Sequence, residues 1–126
     1  MKIFRAIFAN NIDEIDIDNF GCHWTNNEWI EYDTNFRYND ISGGNRKGDN
    51  LYKFEANVSK EFIHQAATKK SNREYPNESE VVLLQNTIIE NVIVKTISED
   101  LIFKINTGNR CAKWYLDLLQ NCSKEP

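Results

Sequence analysis

Three apolar stretches near the end of the chain constrain its fold most. Residues 81–84, 87–97 and 101–105 predict three strands separated by short polar segments. The middle stretch is rich in β-branched residues, which favour extended backbone in a packed sheet. We therefore expect the second half of the chain to be mostly sheet.

The rest of the sequence predicts four further strands and three helical segments. Strands are expected at 2–8, 20–25, 35–40 and 51–58, from runs of apolar or alternating residues. Ser59 is a candidate helix cap before a helix at 59–68, and Thr25 a cap before a helical turn. A closing helix is expected at 111–121. These elements predict the α+β class.

Composition restricts the domain number and the class of partner. A chain of 126 residues with 40% hydrophobic residues can bury one core, so we expect a single domain spanning 1–126. Its net charge of -4 disfavours direct binding to nucleic acid. No apolar run is long enough for a signal peptide or a membrane span, so we expect a cytoplasmic protein without a membrane partner. Its three cysteines are expected to be reduced thiols.

One charged residue lies in the first apolar strand. The alternation of side chains places Ile3, Arg5 and Ile7 on one face of that strand. A guanidinium among apolar neighbours requires an anion or a carboxylate. The alternative is an arginine on an edge strand whose charged end reaches water.

A polar turn precedes the strand at 81–84 and carries two carboxylates. Pro76 and Asn77 are turn formers, and extended backbone is expected from Ser79 or Glu80 onward. Side chains two positions apart share a face, so Glu78 and Glu80 would point the same way. Such a pair could hold an electron-poor carbon or a sugar hydroxyl. The alternative is a solvated connection without a specific role.

Two segments of the sequence suggest metal sites, but each lacks ligands that such a site needs. The segment starting at Asp16 begins like an EF-hand loop, but Phe20 and Asn27 stand where oxygen ligands are needed. Cys22 and His23 lack a second pair with zinc-ligand spacing. We expect no metal.

Three motifs together resemble the ADP-ribosyltransferase family. They are Arg5 on the first strand, the Gly-x-His-Trp-Thr segment at 21–25, and Tyr-Pro-x-Glu-x-Glu at 75–80. They follow the family order of an arginine, a Ser-Thr-Ser-like strand and a Glu-x-Glu motif. The resemblance covers about the first three quarters of the chain. It implies a split β-sandwich with a few short helices, in a small protein of the kind that phages or mobile elements carry.

The resemblance also implies a role for each matching residue. Arg5 would hold the phosphates and ribose of NAD, and Thr25 would be the hydroxyl residue of the second motif. His23 and Trp24, beside it, complete the expected cofactor-binding set. Glu80 would be the catalytic carboxylate, which binds the nicotinamide ribose and stabilises positive charge as nicotinamide leaves.

The first glutamate of the motif, Glu78, would orient the acceptor. The implied function is NAD-dependent mono-ADP-ribosylation of a side chain, arginine being one candidate, on an unidentified protein. The first alternative is an NAD glycohydrolase toxin with water as acceptor. The second is a non-catalytic, acidic binding or inhibitor protein of a mobile element.

A geometric criterion separates these functions. If the chain is the enzyme, Arg5, Thr25 and Glu80 should line one concave site. Arg5 and Glu80 on opposite faces of the sheet would instead count against the enzyme and favour the binding protein.

Overall fold

Six antiparallel strands form one sheet in the computed structural model, which describes residues 1–28, 48, 50–76, 79–96 and 100–107. The strand order across the sheet is β4-β2-β1-β3-β5-β6. The strands are β1 (Lys2–Ala9), β2 (His23–Thr25), β3 (Asn50–Asn57), β4 (Glu80–Val82), β5 (Ile88–Lys95) and β6 (Asp100–Asn106). One α-helix, α1 (Gln65–Glu74), and 3-10 turns at Ile12–Glu14, Ile17–Asn19 and Lys60–Phe62 complete the described elements.

The central strand β1 has apolar side chains on both faces. Residues directly opposite each other in an antiparallel pair share a face, and Arg5 lies opposite Phe54 of β3. We call this face, with Ile3 and Ile7, the core face. The second face carries Phe4, Ala6 and Phe8, which are also buried.

The core face holds the main apolar cluster. Its largest fully buried side chains include Trp24, Phe54 and Ile3, and partly buried isoleucines of the 12–17 segment pack against them. The alternation seen in the sequence of β3 is therefore used to bury Tyr52, Phe54 and Ala56.

Asparagines with positive φ shape the β4–β5–β6 region. Asn86, with φ 65°, lies in the turn before β5. Asn91, with φ 60°, lies in a bulge between Ile89 and Val92. Asparagine enters this backbone region more readily than most residues, which explains its use at both bends.

Helix α1 covers the open edge of β4 with side chains instead of another strand. Thr68 Oγ1 accepts from the Val82 amide at 3.1 Å. Asn72 Oδ1 accepts from the Glu80 amide at 3.0 Å, and its Nδ2 donates to the Glu80 carbonyl at 2.9 Å. Thr68 and Asn72 are four residues apart and so lie on one helix face. The helix satisfies the backbone of an edge strand that is only three residues long.

The described elements confirm the α+β class, and all six predicted strands that fall within the described residues are found. Five differ from the prediction by at most two residues at either end, whereas β2 begins three residues later than predicted, at His23. The strands form a single sheet there, so the expected split β-sandwich is not seen in this part of the chain. The strand at 35–40, the helix at 111–121 and most of the helical turn after Thr25 lie outside the described residues.

The helix expected at 59–68 was placed too early. Residues 60–62 form a 3-10 turn, and Ile63 bridges to Leu83, which holds the chain extended there. Ser59 makes no capping hydrogen bond; instead, the Ala67 amide donates to Nδ1 of His64 at 3.1 Å. A histidine cap is not among the usual signals, so the sequence favoured the serine.

No helix among the described residues is long and apolar enough to span a membrane.

The edge contact made by Thr68 predicts a specific loss of stability. Thr68→Val keeps the shape of the side chain but leaves the Val82 amide without its acceptor. We expect the free energy of unfolding to fall by about 1–3 kcal/mol, the usual cost of a buried amide that loses its partner. Urea denaturation should show a lower midpoint for Thr68→Val than for the control, Thr68→Ser, which retains the hydroxyl. Equal midpoints for these two variants would contradict the proposed edge contact.

Candidate functional site

His23 and Glu80 meet on the second face of the sheet. Thr25 lies opposite both Phe4 in β1 and Glu80 in β4, so these three side chains share a face. His23 lies two residues before Thr25 and therefore points the same way. Its Nδ1 is hydrogen-bonded to Oε1 of Glu80. The fold thus joins two residues that are 57 positions apart in the chain.

The pair is largely withdrawn from solvent. The side chain of Glu80 is 6% exposed and that of His23 is 23% exposed. A buried carboxylate is costly unless it is paired and hydrogen-bonded, and the imidazole supplies that partner. The contact therefore stabilises Glu80 in a single position at the rim of the sheet.

The backbone of Glu80 is fixed from both sides. On one side Asn72 hydrogen-bonds both its amide and its carbonyl. On the other side, the preceding carbonyl, that of Ser79, accepts from the Asn26 amide at 3.0 Å and from Thr25 Oγ1 at 3.2 Å. Ser79 has φ 49°, an uncommon value for a residue with a side chain. The surrounding contacts hold this strained turn, and with it the direction of the Glu80 side chain.

Thr25 has a positioning role in this arrangement. It is fully buried, and its hydroxyl, besides donating to Ser79, accepts from the Asn27 amide at 3.1 Å. That second contact is of the kind expected for a cap. Because the hydroxyl is enclosed, the structure does not place it where it could contact NAD.

Arg5 lies on the opposite face from Glu80. It follows Phe4, the residue aligned with Thr25, so its side chain projects to the core face. There its Nη1 donates to the Phe20 carbonyl at 2.7 Å, and its guanidinium lies 4.5 Å from the centre of the Phe20 ring. The expectation that Arg5, Thr25 and Glu80 line one site is wrong for Arg5. Among the described residues, the guanidinium contacts a carbonyl and an aromatic ring.

Trp24 also departs from the expected cofactor-binding set. It lies between His23 and Thr25 in β2, so it points to the core face, where it is fully buried. Its ring centre is 5.3 Å from that of Phe20, and no described residue accepts a hydrogen bond from its Nε1. Trp24 is a core residue in this structure.

Glu78, the other expected catalytic residue, lies outside the described residues. The structure therefore brings together His23, Thr25 and Glu80 from the expected set and separates Arg5 and Trp24 from them.

Asn72 was not expected in the site. Its amide makes both backbone contacts to Glu80, yet it lies beyond the end of the helix that the sequence predicted at 59–68. The available signal was the four-residue spacing from Thr68, which becomes informative only once the helix is known to continue to Glu74.

No three His, Cys, Asp or Glu side chains are grouped to hold a metal ion within the described parts of the chain. Comparison with known proteins gives no matching family model, no similar curated protein and no similar solved structure.

The burial of the His23–Glu80 pair predicts strong energetic coupling between the two side chains. His23→Leu leaves a buried carboxylate without its partner, whereas the double variant with Glu80→Leu removes both polar groups. We expect each single variant to destabilise the protein and the double variant to lose less than their sum, with an interaction energy of roughly 0.5–3 kcal/mol.

Unfolding in urea of the wild type, both single variants and the double variant measures this energy. The control cycle uses Lys2→Met and Glu55→Gln, because Lys2 is 55% exposed and lies 3.9 Å from Glu55. A pair whose lysine is exposed to water is expected to couple by about 0.2–1 kcal/mol, because solvent screens its charge. Additive effects of the His23 and Glu80 substitutions would show that the contact is not formed in solution.

Proposed function

We propose that the chain is an NAD-dependent mono-ADP-ribosyltransferase that modifies a side chain of another protein, with Glu80 as the catalytic carboxylate. The observation that carries the proposal is the fixation of Glu80, whose backbone is clamped by Asn72 and the Ser79 turn and whose side chain contacts His23. A carboxylate held in advance does not have to reorganise when positive charge develops beside it.

The proposed reaction begins with NAD as substrate. The bond between C1′ of the nicotinamide ribose and the nicotinamide nitrogen breaks, and its electron pair leaves with neutral nicotinamide. The ribose gains oxocarbenium character, which the negative charge of Glu80 stabilises while its carboxylate binds the ribose hydroxyl. A nucleophilic side chain of the acceptor then bonds to C1′ and releases a proton.

His23 has a supporting part in this proposal. An imidazole in its neutral form with the proton on Nδ1 can fix a carboxylate without cancelling its charge. For the carboxylate to bind a ribose hydroxyl, that hydroxyl must either bind a Glu80 oxygen together with the imidazole or replace the imidazole there. His23 is thus proposed as a positioning residue.

The proposal does not use Arg5, which faces away from Glu80. Other groups must then hold the NAD phosphates. Glu78 keeps its expected part, the orientation of the acceptor, as a proposal from the sequence alone.

A second candidate is the non-catalytic binding or inhibitor protein. The position of Arg5 favours this candidate. The sequence predicts that Arg5 and Glu80 lie on opposite faces of the sheet in a protein that does not catalyse the reaction. In that case the His23–Glu80 contact only stabilises the short strand β4. The third candidate, NAD hydrolysis, uses the same carboxylate with water as the acceptor.

Release of nicotinamide from NAD separates catalysis from binding. Glu80→Gln keeps the size of the side chain but removes its charge, and we expect nicotinamide release to fall about 100- to 1,000-fold, the usual effect of losing one preorganised electrostatic group. The assay uses NAD labelled in both the adenosine and nicotinamide parts, with a bacterial lysate as acceptor. Glu90→Gln is the control, because Glu90 is 67% exposed at another strand. Wild-type release no greater than that of Glu80→Gln would reject both enzymatic candidates and favour the binding protein.

Glu78→Gln should divide transfer from hydrolysis. If Glu78 only orients the acceptor, this variant loses labelled protein while slow release of nicotinamide to water continues. Loss of both signals would give Glu78 a part in bond cleavage itself. Wild-type nicotinamide release without any labelled protein would favour the glycohydrolase.

Arg5→Gln tests whether the site is formed without Arg5. The variant loses the contacts with the Phe20 ring and carbonyl, so we expect stability to fall by about 0.5–2 kcal/mol, the range for the ring contact. Nicotinamide release per folded molecule should remain near the wild-type rate. If the rate collapses while circular dichroism shows folded protein, Arg5 belongs to the site after all.

A further inference from the structure

The two edge strands of the sheet differ in how their outer edges are covered. The edge of β4 is covered by Thr68 and Asn72 of α1. At the other end, β6 is hydrogen-bonded to β5, and the Phe20 amide donates to its last carbonyl, that of Asn106, at 2.9 Å. Among the described residues, none hydrogen-bonds to the outer edge of residues 101–105. This segment is a template for another strand.

The side chains along this edge form a charge pattern. Asp100, Ile102 and Lys104 alternate with Leu101 and Phe103, so the first three share one face. All three are exposed, and Ile102, at 69%, is the most exposed of the large hydrophobic side chains described. Leu101 and Phe103 are half-buried and pack against the core from the other face.

This pattern is self-complementary in an antiparallel pair. If a second copy of β6 pairs with the first about a two-fold axis through Ile102, each Asp100 faces Lys104 of the other copy. The two Ile102 side chains face each other between these ion pairs. On the opposite face, each Leu101 lies across from Phe103 of the other copy. Opposite charges and apolar cross-strand pairs both stabilise such a ladder.

We propose that β6 is a homodimer interface, through which two copies of this chain extend their sheets into one. A closed two-fold contact of this type uses the same patch on both copies, as a self-complementary strand requires. The proposal is independent of the proposed function.

Shifted registers are less favourable. An even shift is required, because an odd shift would place side chains of opposite faces across from each other. Centring the pair on Phe103 sets Ile102 against Lys104, and centring it on Leu101 sets Asp100 against Ile102. Only the register through Ile102 pairs both charges and leaves the isoleucines in contact.

The neighbouring charges allow these pairs to form. Lys104 Nζ lies 3.4 Å from Oε1 of Glu90, but both side chains are more than 60% exposed, so the contact is weak and can be shared. Lys95 of β5 lies opposite Asp100, and its Nζ is 3.5 Å from Oε1 of Glu55. Among the described residues Asp100 forms no ion pair, so its carboxylate can accept a lysine from the second copy.

Charge reversal tests the interface and its register together. The Asp100→Lys chain carries two positive side chains along the edge, and the Lys104→Asp chain carries two negative ones. Each should repel its own copy and have the mass of a monomer. When they are mixed, every positive group faces a negative one, so a heterodimer should form. The control variants, Lys60→Asp and Glu61→Lys, reverse exposed charges on the 3-10 turn after β3 and should leave the wild-type dimer intact.

Sedimentation equilibrium over a concentration series gives the masses, and native mass spectrometry identifies the heterodimer in the mixture. The expected results are twice the chain mass for wild type, half of that value for each charge variant alone, and recovery of the doubled mass on mixing. Recovery on mixing also shows that both variants are folded. A monomeric wild type, charge variants that remain dimers, or a mixture that stays monomeric would each overturn the proposal.

Discussion

The pairing of Phe4 with Thr25 decides which side chains can form the site. This single contact between β1 and β2 assigns Thr25, His23 and, through β4, Glu80 to the second face of the sheet. Arg5, the next residue after Phe4, is then assigned to the core face with Phe54. A shift of one residue in this register would exchange the two sets, because side chains alternate along a strand. The composition of the site is a consequence of register rather than of any residue within it.

The strand that carries Glu80 would be marginal without help from helix α1. It has three residues, and its pairing with β2 satisfies only one of its edges. Thr68 and Asn72 act there as a substitute strand, and the turn at Ser79 fixes the entry into β4. The same contacts that stabilise the edge hold Glu80 next to His23. Stability and preorganisation are therefore supplied by one set of hydrogen bonds, so that a variant at Asn72 would alter both.

Local patterns were enough to predict the strands but not their pairing. Alternation in the sequence grouped Arg5 with Ile3 and Ile7, and this grouping is observed. The same alternation separates Trp24 from His23 and Thr25, yet the family resemblance treated the three as one set. No local pattern predicted the contact between His23 and Glu80, which are 57 residues apart in the chain. Pairing between distant strands depends on packing across the whole sheet. Asn72 was missed for a related reason. Its role can be predicted only when it is known where α1 ends and that β4 lies beside it.

The two edges of the sheet carry the two proposals, and this separation makes them independent. In the strand order β4-β2-β1-β3-β5-β6, the Glu80 site lies at one end and the self-complementary strand at the other. Pairing of two copies through β6 would leave both β4 edges at the outer ends of the extended sheet, with α1 still covering them. Neither copy would then supply a residue to the other's site from β6, and the charge variants that separate the copies should leave Glu80 and its supporting hydrogen bonds unchanged.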